Sequence, residues 1–352
     1  MSEHTHQETS TPSPAVALQA IVNPRPRIRA YLLKILQVAL EEAPEAWPQL
    51  SSQAFVQQYN ALQVKLRQLY QQIDAMDGLH KDDRLSVRLL GESTLSLLKL
   101  DWEHPDNLHQ ASDTIRQLFA DRPLATMDFD QLFCTPDSSE RRVQKILQEI
   151  DATSAKVLFM GDDDLCSLAI APHFSGELEV IDFDDRLLEF ISNQEPKIAC
   201  NKYDLIYSGL PKAYQGQFDA VVLDPPWEDY FLWCFLGKAI YSLKEDPNAR
   251  IYLSFCPLNL EHKEGKVARM YQKLADCGLT IESITPTFSL YNLENTEFKA
   301  MLLKLVPHID SPLLSVLQEL PYGFSNLYVL RRLPYFRPNP IKNWFFKWVH
   351  TK

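Results

Sequence analysis

The sequence predicts an α/β chain in which a mainly parallel sheet is covered by helices on both faces and preceded by a helical domain. Three observations carry this expectation. From Arg27 to about Phe119 apolar residues recur at helical spacing; from Lys156 onward short apolar runs alternate with helical stretches; and the chemically distinctive residues of that second region fall at the ends of the apolar runs. Continuously apolar strands separated by helices indicate a sheet buried on both sides, the Rossmann-like class.

Residues 1–25 are rich in Ser, Thr, Pro and Glu without periodicity and read as a disordered tail. Residues 26–125 read as the helical N-terminal domain: Ile28, Tyr31, Leu32, Ile35 and Val38 recur at three and four, as do Leu62, Leu66, Leu69 and Tyr70, with Pro48, Gly78 and Pro105 as punctuation. Such a domain would cover the catalytic domain or mediate self-association, and a homodimer is compatible with it. Residues 126–310 read as the Rossmann-like domain. Strands are expected at 156–160, 177–182, 197–201, 218–223 and 250–255. Helices follow at 165–171, from Asp185 through Ile191, through Trp233 and Ile240, and at 267–277, ending at Gly278. Two further strands are expected at 279–284 and 299–306. Residues 311–352 form a basic, aromatic extension.

Composition excludes several classes. No apolar stretch approaches the roughly 20 residues of a membrane span, and the start Met1-Ser2-Glu3-His4 lacks the basic end and apolar centre of a signal peptide, so a soluble, cytoplasmic protein is expected. Six cysteines without any C-x-x-C pair read as reduced core residues, and no metal is expected. The net charge of −11 is uneven: residues 151–245 hold 17 Asp and Glu against 7 Lys and Arg, a balance of −10, whereas 321–352 hold six basic residues and no acidic one. That field favours a polycationic partner and opposes a nucleic acid backbone.

The run Gly161-Asp162-Asp163-Asp164-Leu165 closes the first apolar strand, where α/β proteins bind nucleotides. Helix amides there favour an anion, but three carboxylates would repel a phosphate and suit a ligand with positive charge beside its nucleoside, a sulfonium or an ammonium. An acidic helix cap accounts for one Asp and at most two. Asp182, at the end of the second strand, is placed to accept ribose hydroxyls, and Asp204, after the third, to meet an adenine amino group. Asp224-Pro225-Pro226-Trp227 closes the fourth strand, and its prolines limit the freedom of carboxylate and indole. An amine attacking a sulfonium carbon needs a free lone pair, so Asp224 as proton acceptor and Trp227 as a cation-holding face form a candidate acceptor site.

These residues resemble the branched-chain polyamine synthases, the N4-bis(aminopropyl)spermidine synthase family. The resemblance rests on Gly161-Asp162-Asp163-Asp164-Leu165, on Ile181-Asp182-Phe183-Asp184-Asp185-Arg186-Leu187 and on Asp224-Pro225-Pro226, with support from Asp130-Gln131, Pro136 and Ser138-Ser139-Glu140-Arg141-Arg142. It implies transfer of an aminopropyl group from decarboxylated S-adenosylmethionine to a polyamine amine, with no tightly bound cofactor. The roles that follow are Asp164, or Asp163 with it, for the donor ammonium, Gly161 and Asp162 in the same donor loop, Asp182 for ribose, Asp204 for adenine, and Asp224 with Pro225, Pro226 and Trp227 for the incoming amine. The alternative is an N-methyltransferase of the Asp-Pro-Pro-Trp type that uses ordinary S-adenosylmethionine on a nucleic acid base or protein amide.

Overall fold

The computed structural model describes residues 24–40, 51–79, 81–103, 111–126, 129, 131–256, 265–292, 309–319 and 322–333. Four helices precede the sheet domain's first helix: α1 (Pro24–Leu40), α2 (Ser52–Asp74), α3 (Lys81–Glu103) and α4 (Asp113–Asp121). Helix α5 (Pro136–Glu149) then leads into β1 (Lys156–Met160), α6 (Cys166–Ile170), β2 (Glu177–Asp182), α7 (Asp185–Gln194), β3 (Ala199–Lys202), β4 (Ala220–Leu223), α8 (Asp229–Ser242), β5 (Arg250–Phe255), α9 (Lys266–Asp276), β6 (Leu279–Asn292), α10 (Pro312–Leu317) and β7 (Tyr322–Arg332). Local chemistry sets several starts. Ser51, Ser112 and Thr135 cap α2, α4 and α5 by accepting an amide hydrogen of the first turn, and Pro136 occupies a position whose N–H would have no partner. Helix α7 is capped by Asp184, one residue before the Asp185 expected from sequence, and Asp185 lies in the first turn.

The seven strands form one sheet in the order β3-β2-β1-β4-β5-β7-β6. Strands β1 to β5 pair in parallel, whereas β7 is antiparallel to both β5 and β6, giving a mixed, mostly parallel α/β sheet of the Rossmann-like class. The period-two rule explains the two-sided core. Leu158 and Met160 of β1, Val221 and Leu223 of β4, and Ile251 and Leu253 of β5 face α8 and α9; Val157, Phe159, Ala220, Val222 and Tyr252 face α4, α5, α6 and α7. A third core joins α1, α2, α3 and α10 to Cys256, Leu290 and Phe324 at one end of β5, β6 and β7.

Two differences from the sequence reading stand out. The strand expected at 279–284 runs on to Asn292, with register shifts between Ile281 and Ser283 and between Thr285 and Ser289. In addition, Tyr322–Arg332, inside the expected extension, is a sheet strand, because Leu327, Tyr328, Val329 and Leu330 alternate between the two faces. The strand expected at 299–306, residues 1–23 of the expected tail, Asp130, and residues 334–352 of the extension lie outside the described residues. All six cysteines are free. No described helix is long and apolar enough to cross a membrane, and no described group of three or more His, Cys, Asp or Glu could hold a metal ion.

Candidate active site

The strand order reverses between β1 and β4, and at such a switch point the chain leaves adjacent parallel strands in opposite directions and opens a crevice. The acidic triplet after β1 and Asp224 after β4 flank it. Gly161 turns the chain at φ 71°, and Leu165 reaches φ 52° although it is a branched, buried residue. The turn between them is held by the bond from Leu165 N to the Asp162 carbonyl at 2.9 Å. A Cβ on Gly161 would meet only Phe235 at 3.7 Å and Asp182 Oδ2 at 3.9 Å, so space is not the obstacle; the left-handed backbone is. Gly161→Ala is expected to lower stability by about 1–2 kcal/mol in denaturant titration, the cost of a side chain in that region.

The three carboxylates of the triplet have separate tasks. Asp162 is buried and accepts the amide hydrogens of Cys166 and Ser167 at 2.9 and 3.0 Å, so it caps α6; burial lifts it to about 7 against the Ser167 bonds. Asp164 is buried too. Its Oδ1 accepts the Cys134 amide at 2.7 Å and its Oδ2 pairs with Arg142 at 2.9 Å; burial would raise it, but Arg142 and the Cys134 amide outweigh that and hold it below the usual carboxylate range. Asp163 points at a cavity, and its carboxylate receives no hydrogen bond from the described residues. Burial first, then Asp164, Asp224 and Asp182, push it well above the usual range, with Arg122 opposing. Arg122 donates to the Asp163 carbonyl at 2.9 Å while its guanidinium lies over the rings of Phe119 and Phe133.

The cavity, of about 430 Å³, is lined by Gly161, Asp163, Asp182, Asp204, Asp224 and Pro226 together with the rings of Phe129, Phe183, Tyr203, Tyr207, Phe231 and Phe235. Asp182 is held by two backbone amides, Asp184 N to Oδ1 at 2.8 Å and Asp162 N to Oδ2 at 3.3 Å, and each oxygen retains lone-pair capacity for a hydroxyl. Asp204 accepts Ile206 N and Tyr207 N on Oδ1, both at 2.8 Å, and among the described residues no donor reaches Oδ2, which leaves it for a ligand. The pattern suits a flat aromatic base beside a sugar and a cation: rings for the first, pinned carboxylates for the others.

Asp224 is anchored from below. Its Oδ2 accepts Arg142 Nη2 at 3.0 Å and the hydroxyl of Tyr291, which in turn lies 2.8 Å from Ser325 Oγ; Arg142 Nη2 also donates to Ser289 Oγ at 3.0 Å. Arg142, 2% exposed, therefore bridges Asp164 and Asp224. Burial lifts Asp224 to about 8, with Asp164 adding to the rise and Arg142 and Tyr291 opposing it. Trp227 does not line the cavity. Its ring stands edge-on to Tyr291 at 5.0 Å and 84°, packed where the helical core meets the sheet core.

Residues 110–337 match the family described as the branched-chain polyamine synthase A C-terminal domain. The chain belongs to this family. It is 29% identical over 148 residues to an N(4)-bis(aminopropyl)spermidine synthase of Methanocaldococcus jannaschii, covering 41% of this chain and 42% of the relative. The enzyme of the same name from Thermus thermophilus is 28% identical over 179 residues, covering 49% of this chain and 50% of the relative. The chain thus spans about half the length of these relatives or less. A crystal structure of the branched-chain polyamine synthase from Thermus thermophilus in complex with N4-aminopropylspermidine and 5'-methylthioadenosine shares the fold, with a TM-score of 0.53 at 19% identity over 90% of this chain and 93% of that one.

In this member of the branched-chain polyamine synthase family the structure brings together at one cavity Gly161, Asp163, Asp182, Asp204, Asp224 and Pro226 of the residues expected from sequence. Asp162 and Asp164 lie behind it, engaged with α6 and Arg142, and Pro225 and Trp227 stand aside. Sequence reasoning singled out no cationic or β6 residue for the site. Arg122 follows the end of α4, Arg142 lies on α5, and Ser289 and Tyr291 lie on β6, all outside the acidic segment. One signal pointed to Arg142: carboxylates packed this densely beneath a sheet end need a buried cation, and Arg142 stood within the motif Ser138-Ser139-Glu140-Arg141-Arg142.

Proposed function

We propose that the chain transfers an aminopropyl group from decarboxylated S-adenosylmethionine to a secondary amine of a polyamine. The observation that carries this reading is Asp163: it is the member of the triplet that faces the cavity, with no hydrogen bond to its carboxylate from the described residues, while its neighbours are already engaged, so it is available to a ligand cation. In this reading Asp163 takes the donor's terminal ammonium, with Asp164 behind it adding negative charge; Asp182 takes the ribose hydroxyls and Asp204 Oδ2 the adenine amino group, with the ring lining around the base. The acceptor nitrogen attacks the methylene bound to sulfur. The new N–C bond forms as the C–S bond breaks, its electron pair leaves on the thioether as 5'-methylthioadenosine, and the proton on nitrogen passes to Asp224. The N4-aminopropylspermidine and 5'-methylthioadenosine of the Thermus thermophilus complex support the same ligand classes here.

The test is calorimetry with the two nucleoside donors. Ordinary S-adenosylmethionine carries an extra carboxylate at the end that Asp163 faces, with Asp164 behind it, and it should bind more weakly by about 1–3 kcal/mol. Tighter binding of the ordinary donor would replace this reading with methyl transfer. Trp227 gives that alternative no support, since its face does not border the cavity.

A further inference from the structure

We infer that Tyr291 and Arg142 are positioning residues that fix Oδ2 of Asp224, so that Oδ1 alone is presented to the incoming amine. The inference rests on the aminopropyl-transfer reading for its chemistry but on geometry for its substance. Both donors converge on the same oxygen: Arg142 Nη2 at 3.0 Å and the Tyr291 hydroxyl, itself set by Ser325 Oγ at 2.8 Å. They approach from different elements, α5 and β6, and each is buried. A carboxylate held on one oxygen by two donors cannot rotate, and its second oxygen keeps one direction into the cavity that Asp224 lines.

The anchor also has an electrostatic consequence. The charged and titratable groups around Asp224 are Arg142 from α5, Asp163 and Asp164 from the turn after β1, and Tyr291 from β6. Two of these are like charges. Without its donors Asp224, already lifted to about 8 with them in place, would rise further toward the protonated form, and a smaller share of sites would hold an ionised oxygen for the proton leaving the acceptor nitrogen. With them, the N–H proton moves to Oδ1 as the N–C bond forms and the C–S bond breaks, while Oδ2 keeps its two hydrogen bonds throughout. Tyr291 and Arg142 touch neither donor nor acceptor in this arrangement.

Tyr291→Phe tests this with little change of shape. Expected are an upward shift of the Asp224 carboxyl titration, read by carboxyl carbon NMR and assigned with Asp224→Asn, and a kcat lower by about tenfold. The KM of the acceptor and the binding of 5'-methylthioadenosine should change about twofold or less. Arg142→Lys, which keeps the charge but not the fork that spans both carboxylates, should shift the same titration upward and should not be rescued by added acceptor. An unchanged titration with unchanged kcat in Tyr291→Phe overturns the inference. Failure of the wild-type chain to transfer an aminopropyl group would overturn the functional reading instead, and the ligand-free carboxyl titration would still decide the roles of Tyr291 and Arg142.

Discussion

Asp224→Asn is expected to lower turnover by about 100-fold or more while folding and nucleoside binding persist. The amide oxygen can occupy the place of Oδ2 and keep the bonds from Arg142 and Tyr291, so the local shape is retained. What is lost is the group that takes the proton. The wild-type pH profile sharpens the test. Burial first and Asp164 next lift the Asp224 carboxyl to about 8 in the ligand-free site, so it carries a proton at neutral pH, and kcat/KM should climb as pH rises toward that value. The Asn variant should lose this climb. The carboxyls of Asp163, Asp164 and Asp224 interact, so the inflection belongs to the cluster and not to Asp224 alone. A variant with near wild-type turnover and an unaltered profile would make Asp224 a turn residue.

The parts of this structure that were legible in the sequence are those fixed by local pattern. Strands β1, β2 and β5 follow from short, predominantly apolar runs bounded by polar residues, and the observed bounds coincide with those expected. Asp182, Asp204 and Asp224 were recognisable because a parallel strand delivers its last residue to the same edge whatever the rest of the chain does. Strand β7 was less legible, since Tyr322-Gly323-Phe324-Ser325-Asn326 opens it with small and polar residues and Arg331-Arg332 close it in a basic tail. Its pairing with β5 and β6 is supplied by tertiary context. The triplet shows the limit most clearly. Three identical neighbours in sequence received different neighbours in space, because the chain reverses through Gly161 and Leu165 and aims each side chain differently. Arg142 illustrates the same point: on an amphipathic helix it resembles a surface cation, and its partners lie 22 and 82 residues away.

Removing that cation should have the largest effect on stability. Arg142→Met preserves much of the side-chain volume but leaves Asp164 and Asp224 buried without a counter-charge, a change that costs about 3–5 kcal/mol when one partner of a buried ion pair is removed. The pH dependence distinguishes charge from packing. In the native chain burial favours protonated Asp164, but Arg142 and the Cys134 amide prevail and lower its pKa. Its contribution to stability is therefore present above the unfolded carboxyl value and is lost as pH falls through the folded one. In the variant burial and mutual repulsion act unopposed by the guanidinium, so both carboxyls should rise. A raised carboxyl contributes stability that is present below its unfolded value and is lost as pH rises through its folded value. The deficit of Arg142→Met relative to wild type should consequently be larger at pH 8 than at pH 5 in chemical denaturation, and Arg142→Lys should show a smaller deficit at both. An equal deficit at the two pH values would assign the loss to packing around the former guanidinium and would remove the argument that Arg142 is retained to hold two carboxylates together beneath the cavity.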